Sequence, residues 1–177
     1  MSAHDLLNSF INHLANKFVY DFDVYRNEML GDIPLAFMAR HFRRDEKYMI
    51  SKRVKVWGVE NQQYIFVTAR REPVTKQFLH QFQKEIRGRI EDYVLKHKEH
   101  MSTIFIGMVV TDQPLDEQLA KGVMRYRKIK WIKYGFYGWA EVYVAVVDLT
   151  QEKIYIHPKG KAFIEPLEKM FLKGSKV

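Results

Sequence analysis

The stretch that decides the fold is Thr103 to Thr111, with the sequence TIFIGMVVT. Its residues are apolar at odd and even positions alike, rather than at alternate positions only. Successive side chains of a strand point to opposite faces of a sheet, so this pattern predicts a strand that is covered on both sides. We therefore expect it to form a central strand with other elements above and below.

Helical patterns flank this strand in the chain. Upstream, apolar residues recur at every fourth position from Phe78 to Val94, which predicts a long central helix over about 74–97. Downstream, residues 111–117 combine a capping side chain, an early proline and acidic residues, which are typical of a helix start, and we predict a helix over 115–126. The other predicted elements are an N-terminal amphipathic helix over 5–18, an irregular loop over 20–33, strands within 129–148 and over 153–157, and a short helix over 166–172.

Residues 34–72 are interpreted as a three-stranded meander that turns at 44–46 and at Asn61-Gln62. A two-residue turn at Asn61-Gln62 fixes the pairing of the flanking strands and keeps the aliphatic residues on one face. Residues 34–43 fit a strand and a short helix equally well. The predicted pairs are Val54 with Ala69 and Val56 with Val67 on the aliphatic face, and Arg53 with Arg70, Lys55 with Thr68 and Trp57 with Phe66 on a basic and aromatic face.

Length and composition favour one ordinary globular domain over 1–177. A chain of 177 residues with 47% hydrophobic residues is long enough to form a core without disulfides or a structural metal. The absence of cysteine excludes disulfide scaffolds, thiolate zinc sites and cysteine nucleophiles. Together with the element pattern, this predicts an α+β fold with a single largely antiparallel or mixed sheet of five to seven strands and helices packed on it.

Positive charge is concentrated in two segments of the chain, whose net charge is +8. Residues 35–71 contain nine basic and three acidic residues, and residues 121–139 contain six basic residues and no acidic one. A clustered excess of charge creates a local positive potential that a dispersed excess would not. Whether the two segments adjoin in space decides whether they form one surface.

We therefore predict a non-catalytic binding protein with a basic and aromatic face for an acidic partner such as nucleic acid. Phosphates attract cationic side chains, and exposed bases stack on aromatic rings. The alternative is a structural or protein-interaction domain whose lysines and arginines are merely solvated. The predicted binding residues are Arg53, Lys55, Trp57, Arg70, Arg125, Arg127, Lys130, Trp131 and Lys133.

Enzyme classes find little support in the sequence. The order of one helix, three strands, a helix and a strand resembles the PD-(D/E)XK nuclease-like fold, but the predicted third strand, 63–71, has no carboxylate to hold a metal, which implies a degenerate, non-cleaving version. Glycine-rich phosphate loops and a serine nucleophile elbow are absent from the sequence. His97 and His100 have metal-ligand spacing without a third ligand. We expect no cofactor, no metal and no catalytic residue.

The location and assembly of the protein are inferred from apolar stretches. The N-terminus, MSAHD, carries an acid before any long apolar run, so we expect no targeting segment and a cytoplasmic protein. The apolar stretches are too short for a membrane span, although residues 128–139 suit contact with an anionic membrane surface as a minor alternative. Homo-oligomerisation stays open.

Overall fold

A mixed sheet of seven strands forms the middle layer of the computed structural model, which describes residues 2–44, 60–94, 101–136 and 138–174. The elements within these ranges are five α-helices, two 3₁₀ helices and nine strands, and two of the strands form a separate hairpin. The helices are α1 (Ala3–Phe18), α2 (Lys76–Gly88), α3 (Ile90–Tyr93), α4 (Glu117–Arg125) and α5 (Glu165–Gly174). The strands are β1 (Asp23–Tyr25), β2 (Met29–Leu30), β3 (Ile33–Pro34), β4 (Phe37–Arg44), β5 (Glu60–Arg70), β6 (Met101–Thr111), β7 (Arg127–Trp131), β8 (Trp139–Asp148) and β9 (Lys153–Tyr155).

The strand order places β6 inside the sheet, which confirms the predicted central strand. The order is β1-β4-β5-β6-β8-β7. Strand β9 pairs with the C-terminal end of β8, after the residues of β8 that pair with β7. Strand β6 runs parallel to both of its neighbours, β5 and β8, whereas the remaining pairs are antiparallel. The sheet is therefore mixed, and the fold class is α+β.

Helices cover both faces of the sheet, which explains why β6 is apolar at every position. On one face, called here the α1/α5 face, Ile104 and Ile106 of β6 pack with side chains of α1 and α5. On the other, the α2–α4 face, Phe105 and Val109 pack with side chains of α2, α3 and α4. The sheet thus separates two apolar clusters.

Helix α2 lies very close to β6 at Gly107. A Cβ atom added at this position would collide with the side chains of Ile86 and Phe82. Both of these residues are fully buried on α2. The only glycine of the central strand is therefore the point at which the helix approaches the sheet.

The predicted long helix over 74–97 is wrong, because two short helices occupy its described part. Helix α2 ends at Gly88, and Arg89 has a non-helical backbone (φ −112°, ψ 3°) before α3 begins. The four-residue repeat identified the buried side correctly, since Phe82, Ile86 and Ile90 are all buried. It could not detect the break, which falls where glycine lowers helix propensity. Residues 95–97 lie outside the described ranges.

The predicted turn at Asn61-Gln62 is also wrong, because both residues lie inside β5. One edge of β5 pairs with β4 and the other with β6, so that Val67 lies opposite Phe37 and Met108 instead of Val56. Phe66 and Thr68 are buried and do not belong to a solvent-exposed face. The stretch 34–43, whose pattern fitted a strand and a short helix equally well, contributes to strands β3 and β4. The proposed middle strand, including Val54, lies outside the described ranges.

The remaining predicted elements agree with the structure to within a few residues, except that residues 20–33 contain β1, β2 and the start of β3 where a loop was expected. Asp116 caps α4, since its carboxylate accepts from the backbone N–H groups of Gln118 (2.9 Å) and Leu119 (3.2 Å). Among the described residues, no helix is both long enough and apolar enough to cross a membrane.

Candidate functional site

The second basic segment folds into α4, the edge strand β7 and the turn after it. Strand β7 pairs with β8 along one side, and within the described residues its other side has no strand partner. Arg127 lies opposite Tyr143, whose side chain belongs to the α1/α5 face, whereas Lys128 lies opposite Val142 on the α2–α4 face. Alternation then places Ile129 and Trp131 with Arg127, and Lys130 with Lys128.

Exposed apolar side chains are concentrated in the same segment. Nine large hydrophobic residues of the described structure are exposed, and five of them fall within residues 124–136. The three aromatic ones are exposed by 62% (Trp131), 98% (Tyr134) and 77% (Phe136). A grouping of this kind marks an interaction site more often than isolated exposed residues do. We call the exposed side chains of residues 124–136 the β7 surface.

The turn of the β7 surface has an unusual backbone. Ile132 to Gly135 form a short 3₁₀ segment in which Lys133 (φ 45°) and Tyr134 (φ 58°) adopt left-handed conformations. These are unfavourable for residues with a side chain and persist where the surroundings hold them. Here the buried Ile132 anchors the turn, and its N–H donates to the carbonyl of Gly138 at 3.0 Å. The turn presents the ring of Tyr134 to solvent.

Trp131 is supported from within the protein. Its ring centroid lies 5.8 Å from that of Trp139, the residue opposite on β8. Gly135 folds back over the same indole, because a Cβ atom added there would lie 3.7 Å from Trp131 Cε3. The exposed ring is therefore held between a neighbouring strand and the turn.

The cations of the β7 segment differ in whether an acidic group neutralises them. Arg127 pairs with Glu141 (3.0 Å), Lys130 with Glu91 of α3 (3.2 Å) and Lys121 with Glu117 (3.6 Å). Within the described part of the chain, Arg125 and Lys128 form no ion pair. Lys133, in the turn, is exposed.

A polar network on the α1/α5 face links Arg127 to the tryptophan pair. Arg127 Nε donates to the hydroxyl oxygen of Tyr143 (3.0 Å) and to Glu141 Oε2 (3.2 Å), and the Tyr143 hydroxyl donates to the same carboxylate oxygen at 2.5 Å. Trp139 Nε1 donates to Glu141 Oε1 at 3.2 Å. The Glu141 carboxylate therefore accepts from three side chains and fixes the orientation of the indole that supports Trp131.

Protonation states in this network follow from its contacts. Burial alone would raise the pKa of Glu141, but the hydrogen bonds from Tyr143, Trp139 and Arg127 and the charge of Arg127 lower it below its ordinary value. Burial, followed by the hydrogen bond to Glu141, raises the pKa of Tyr143. Hydrogen bonding to Tyr143, with a further contribution from Glu141, raises the pKa of Arg127. The network is thus a charged carboxylate, a charged guanidinium and a neutral phenol.

The sequence predicted Arg127 as a binding residue but missed Glu141, Tyr143 and Trp139. Glu141 and Tyr143 are 14 and 16 positions away from Arg127 in the chain and meet it only through the pairing of β7 with β8, and Trp139 joins them through its hydrogen bond to Glu141. The alternation within each of the two β-rich runs could have suggested which of its residues share a face of the sheet. The register between β7 and β8, however, depends on the backbone of the turn that joins them.

Of the predicted binding residues, Arg125, Arg127, Lys130, Trp131 and Lys133 lie on one segment formed by α4, β7 and the turn, with Lys130 on the opposite face of β7 from Arg127 and Trp131. Arg70 lies elsewhere, at the end of β5, where its guanidinium stacks 4.0 Å from the centroid of Phe78 and lies 3.5 Å from Glu72. Three strand spacings separate β5 from β7, so Arg70 lies about 14 Å from Lys130 across the sheet. The residue of β5 that is level with Lys130 is Gln62, eight positions before Arg70, so the two residues are also about 26 Å apart along the strands. Arg53, Lys55 and Trp57 lie outside the described ranges.

The buried acidic group at the other end of the sheet, Asp148, is already engaged in hydrogen bonds. Asp148, at the end of β8, is fully buried and accepts from the backbone N–H groups of Leu115, Thr150 and Gln151 and from the Thr150 hydroxyl. Across the described ranges, no three His, Cys, Asp or Glu side chains are grouped as a metal site would require. His97 and His100 lie outside those ranges.

Residues 7–169 match the model of a family described as a domain of unknown function, DUF8052. The chain belongs to this family. No curated protein and no solved structure matches it. The DUF8052 range extends from within α1 to within α5 and so includes every described strand. The β7 surface and the Arg127–Glu141 network both lie inside the DUF8052 range and do not belong to a terminal extension of it.

Proposed function

We propose that this protein binds nucleic acid through the β7 surface. The observation that carries the proposal is the coincidence of two kinds of exposed side chain in 13 residues. Residues 124–136 contain five basic residues and no acidic one, and five of the nine exposed large hydrophobic residues of the described structure. A polyanion with aromatic bases offers a partner for both kinds.

Three cations of this surface, Arg125, Lys128 and Lys130, are available to phosphates at little energetic cost. Arg125 and Lys128 form no ion pair within the described ranges, so no ion pair of theirs has to be broken there. Lys130 pairs with Glu91, but the two side chains are exposed by 46% and 69%, and exposed pairs of this kind stabilise a fold by little. Arg127 differs, because Glu141 already neutralises it and its role is to hold the surface in place.

Protection of a sheet edge and docking of another protein would each account for part of this surface. Lysines on an edge strand discourage aggregation by edge-to-edge pairing, which explains Lys128 and Lys130 but not the exposed Trp131, Tyr134 and Phe136. A docking site for another protein would explain the aromatic residues. The absence of any acidic residue from 121 to 139 favours the polyanion over a protein partner of mixed charge.

The proposal is tested by titrating the full chain against a fluorescent 20-nucleotide strand at several salt concentrations. We expect the affinity to fall steeply with salt, and the double variant Arg125→Glu/Lys128→Glu to bind at least about tenfold more weakly. Two lost phosphate contacts should also reduce the magnitude of the log–log salt slope on this single strand by about 1.4.

The matched control is Lys17→Glu/Lys153→Glu, which changes the net charge equally at exposed lysines of α1 and β9. The control should keep most of the affinity and the original salt slope. Equal losses in the two double variants would mean that only total charge matters, and an absence of salt-dependent binding to any nucleic acid would refute the proposal.

A further inference from the structure

We infer that the nucleic acid bound by the β7 surface is single-stranded, with unpaired bases stacked on Trp131, Tyr134 and Phe136. This inference rests on the proposed function and specifies its ligand. It concerns how the exposed rings are used, whereas the salt-dependent affinity that tests the proposed function depends on the cations. An experiment can therefore refute this inference without refuting the proposed function.

The exposure of the rings is the first argument. Tyr134 and Phe136 are exposed by 98% and 77%, and Trp131 by 62%, so much of each ring is open to a flat partner. A duplex hides the faces of its bases within its own stack, and a side chain reaches them there only by wedging the stack apart. An unpaired strand offers every base face to a ring without that penalty.

The rigidity of the platform is the second argument. The left-handed conformations of Lys133 and Tyr134 are held by the buried Ile132 and by its hydrogen bond to Gly138. Trp131 is braced by Trp139, whose indole N–H is fixed by Glu141. The ring of Trp131 and the backbone that carries Tyr134 are thus ordered before binding and lose little conformational freedom, which favours their use in stacking.

The location of the rings is the third argument, and it separates this surface from a membrane anchor. Lipid-binding segments with cations and aromatic residues are commonly amphipathic helices that lie flat in the headgroup layer. Here Trp131 ends a strand, and Tyr134 and Phe136 lie in and just after a tight turn. The three rings therefore lie on a strand and a turn and lack the helical periodicity of such a segment.

The experiment compares three ligands: a 12-nucleotide thymidine strand, an abasic strand of the same length and phosphate number, and a 12-base-pair duplex, which carries about twice as many phosphates. Anisotropy titrations of the full chain give each affinity at one salt concentration. We expect the thymidine strand to bind at least about tenfold more tightly than the abasic strand or the duplex, since each stacked base contributes roughly fivefold to 150-fold.

The matching variant is Tyr134→Asn/Phe136→Ser, because asparagine tolerates the positive φ at position 134. It should lose most of the preference for the thymidine strand, since only Trp131 of the three rings remains, while keeping the salt slope and the affinity for the abasic strand. The control is Tyr20→Ser, which removes a ring that is 88% exposed just after α1, and it should change nothing.

Each contrary outcome has its own meaning. Equal affinity for the three ligands, or an unchanged preference in the Tyr134→Asn/Phe136→Ser variant, would overturn this inference and leave the proposed function standing. No binding to any of the three would overturn both. Binding to vesicles that contain phosphatidylserine, with none to the oligonucleotides, would also overturn both and assign the surface to a membrane.

Discussion

Glu141 shows how a single residue can be fixed by its neighbours. Its carboxylate accepts hydrogen bonds from Arg127, Trp139 and Tyr143, and its side chain is only 16% exposed. A carboxylate in this position is a positioning residue, because its lone pairs are already engaged and it holds the indole that supports Trp131.

We expect Glu141→Gln to destabilise the protein at pH 7 by about 1–3 kcal/mol, because Arg127 is left half-buried without its counter-charge. The pKa of Glu141 is lower in the folded chain than its ordinary value of 4.5. Its stabilising effect is therefore complete above about pH 4.5 and is lost as the pH falls through the lowered folded value. Urea unfolding of both proteins between pH 7 and pH 3 should show their difference shrinking with acid.

The control for this series is Glu165→Gln, which breaks an exposed pair with Lys169 on α5. We expect its unfolding midpoint to stay close to that of the parent protein. A gap between parent and Glu141→Gln that stays constant down to pH 3 would contradict the assigned role of the carboxylate.

Among the elements, α2 and β6 depend on each other through Gly107. A Cβ atom there would collide with Ile86 and Phe82, which are buried between the helix and the sheet. We expect Gly107→Ala to destabilise the fold by about 1–3 kcal/mol, because an overpacked core must shift its neighbours. Thermal or urea unfolding measures the change.

The same substitution in α4 should act in the opposite direction. Nothing lies within 4 Å of a Cβ atom added at Gly122, which is exposed in the interior of the helix. Gly122→Ala should therefore stabilise the protein by about 0.5–1 kcal/mol, and it serves as the control for Gly107→Ala. Destabilisation by both substitutions would show that close approach of α2 is not the cause.

The elements also show what the sequence could and could not predict. Local signals identified α1, β6 and the start of α4 because capping and periodicity act within a few residues. The predicted turn at Asn61-Gln62 was wrong because the same alternation fits one continuous strand that is paired on both edges. Only the long-range strand partners decide between a hairpin turn and a continuous strand. For the candidate site, the cations and Trp131 were found in the sequence, whereas the exposure of Tyr134 and Phe136 required the fold.

For the whole molecule, the three-layer arrangement decides which charges can act together. The sequence left open whether its two basic segments adjoin, and the structure places Arg70 at the opposite end of the sheet from Lys130. Charge clustering along the chain predicted the basic segment at β7 because its basic residues are close together in the sequence. It could not predict the distance to Arg70, which the parallel pairings of β6 determine.

The burial of β6 between two layers has a consequence for the slow motions of the protein. Solvent reaches its amides only when both neighbouring strands and both helical layers have separated, so deuterium uptake at Ile104–Val110 should require global unfolding. The amides of β7, which is paired along one side within the described ranges, should take up deuterium through smaller, more frequent openings. Equal uptake rates in β6 and β7 would mean that the sheet opens as one unit. With the expected difference, the edge strand can fray and re-form while the centre of the sheet stays closed.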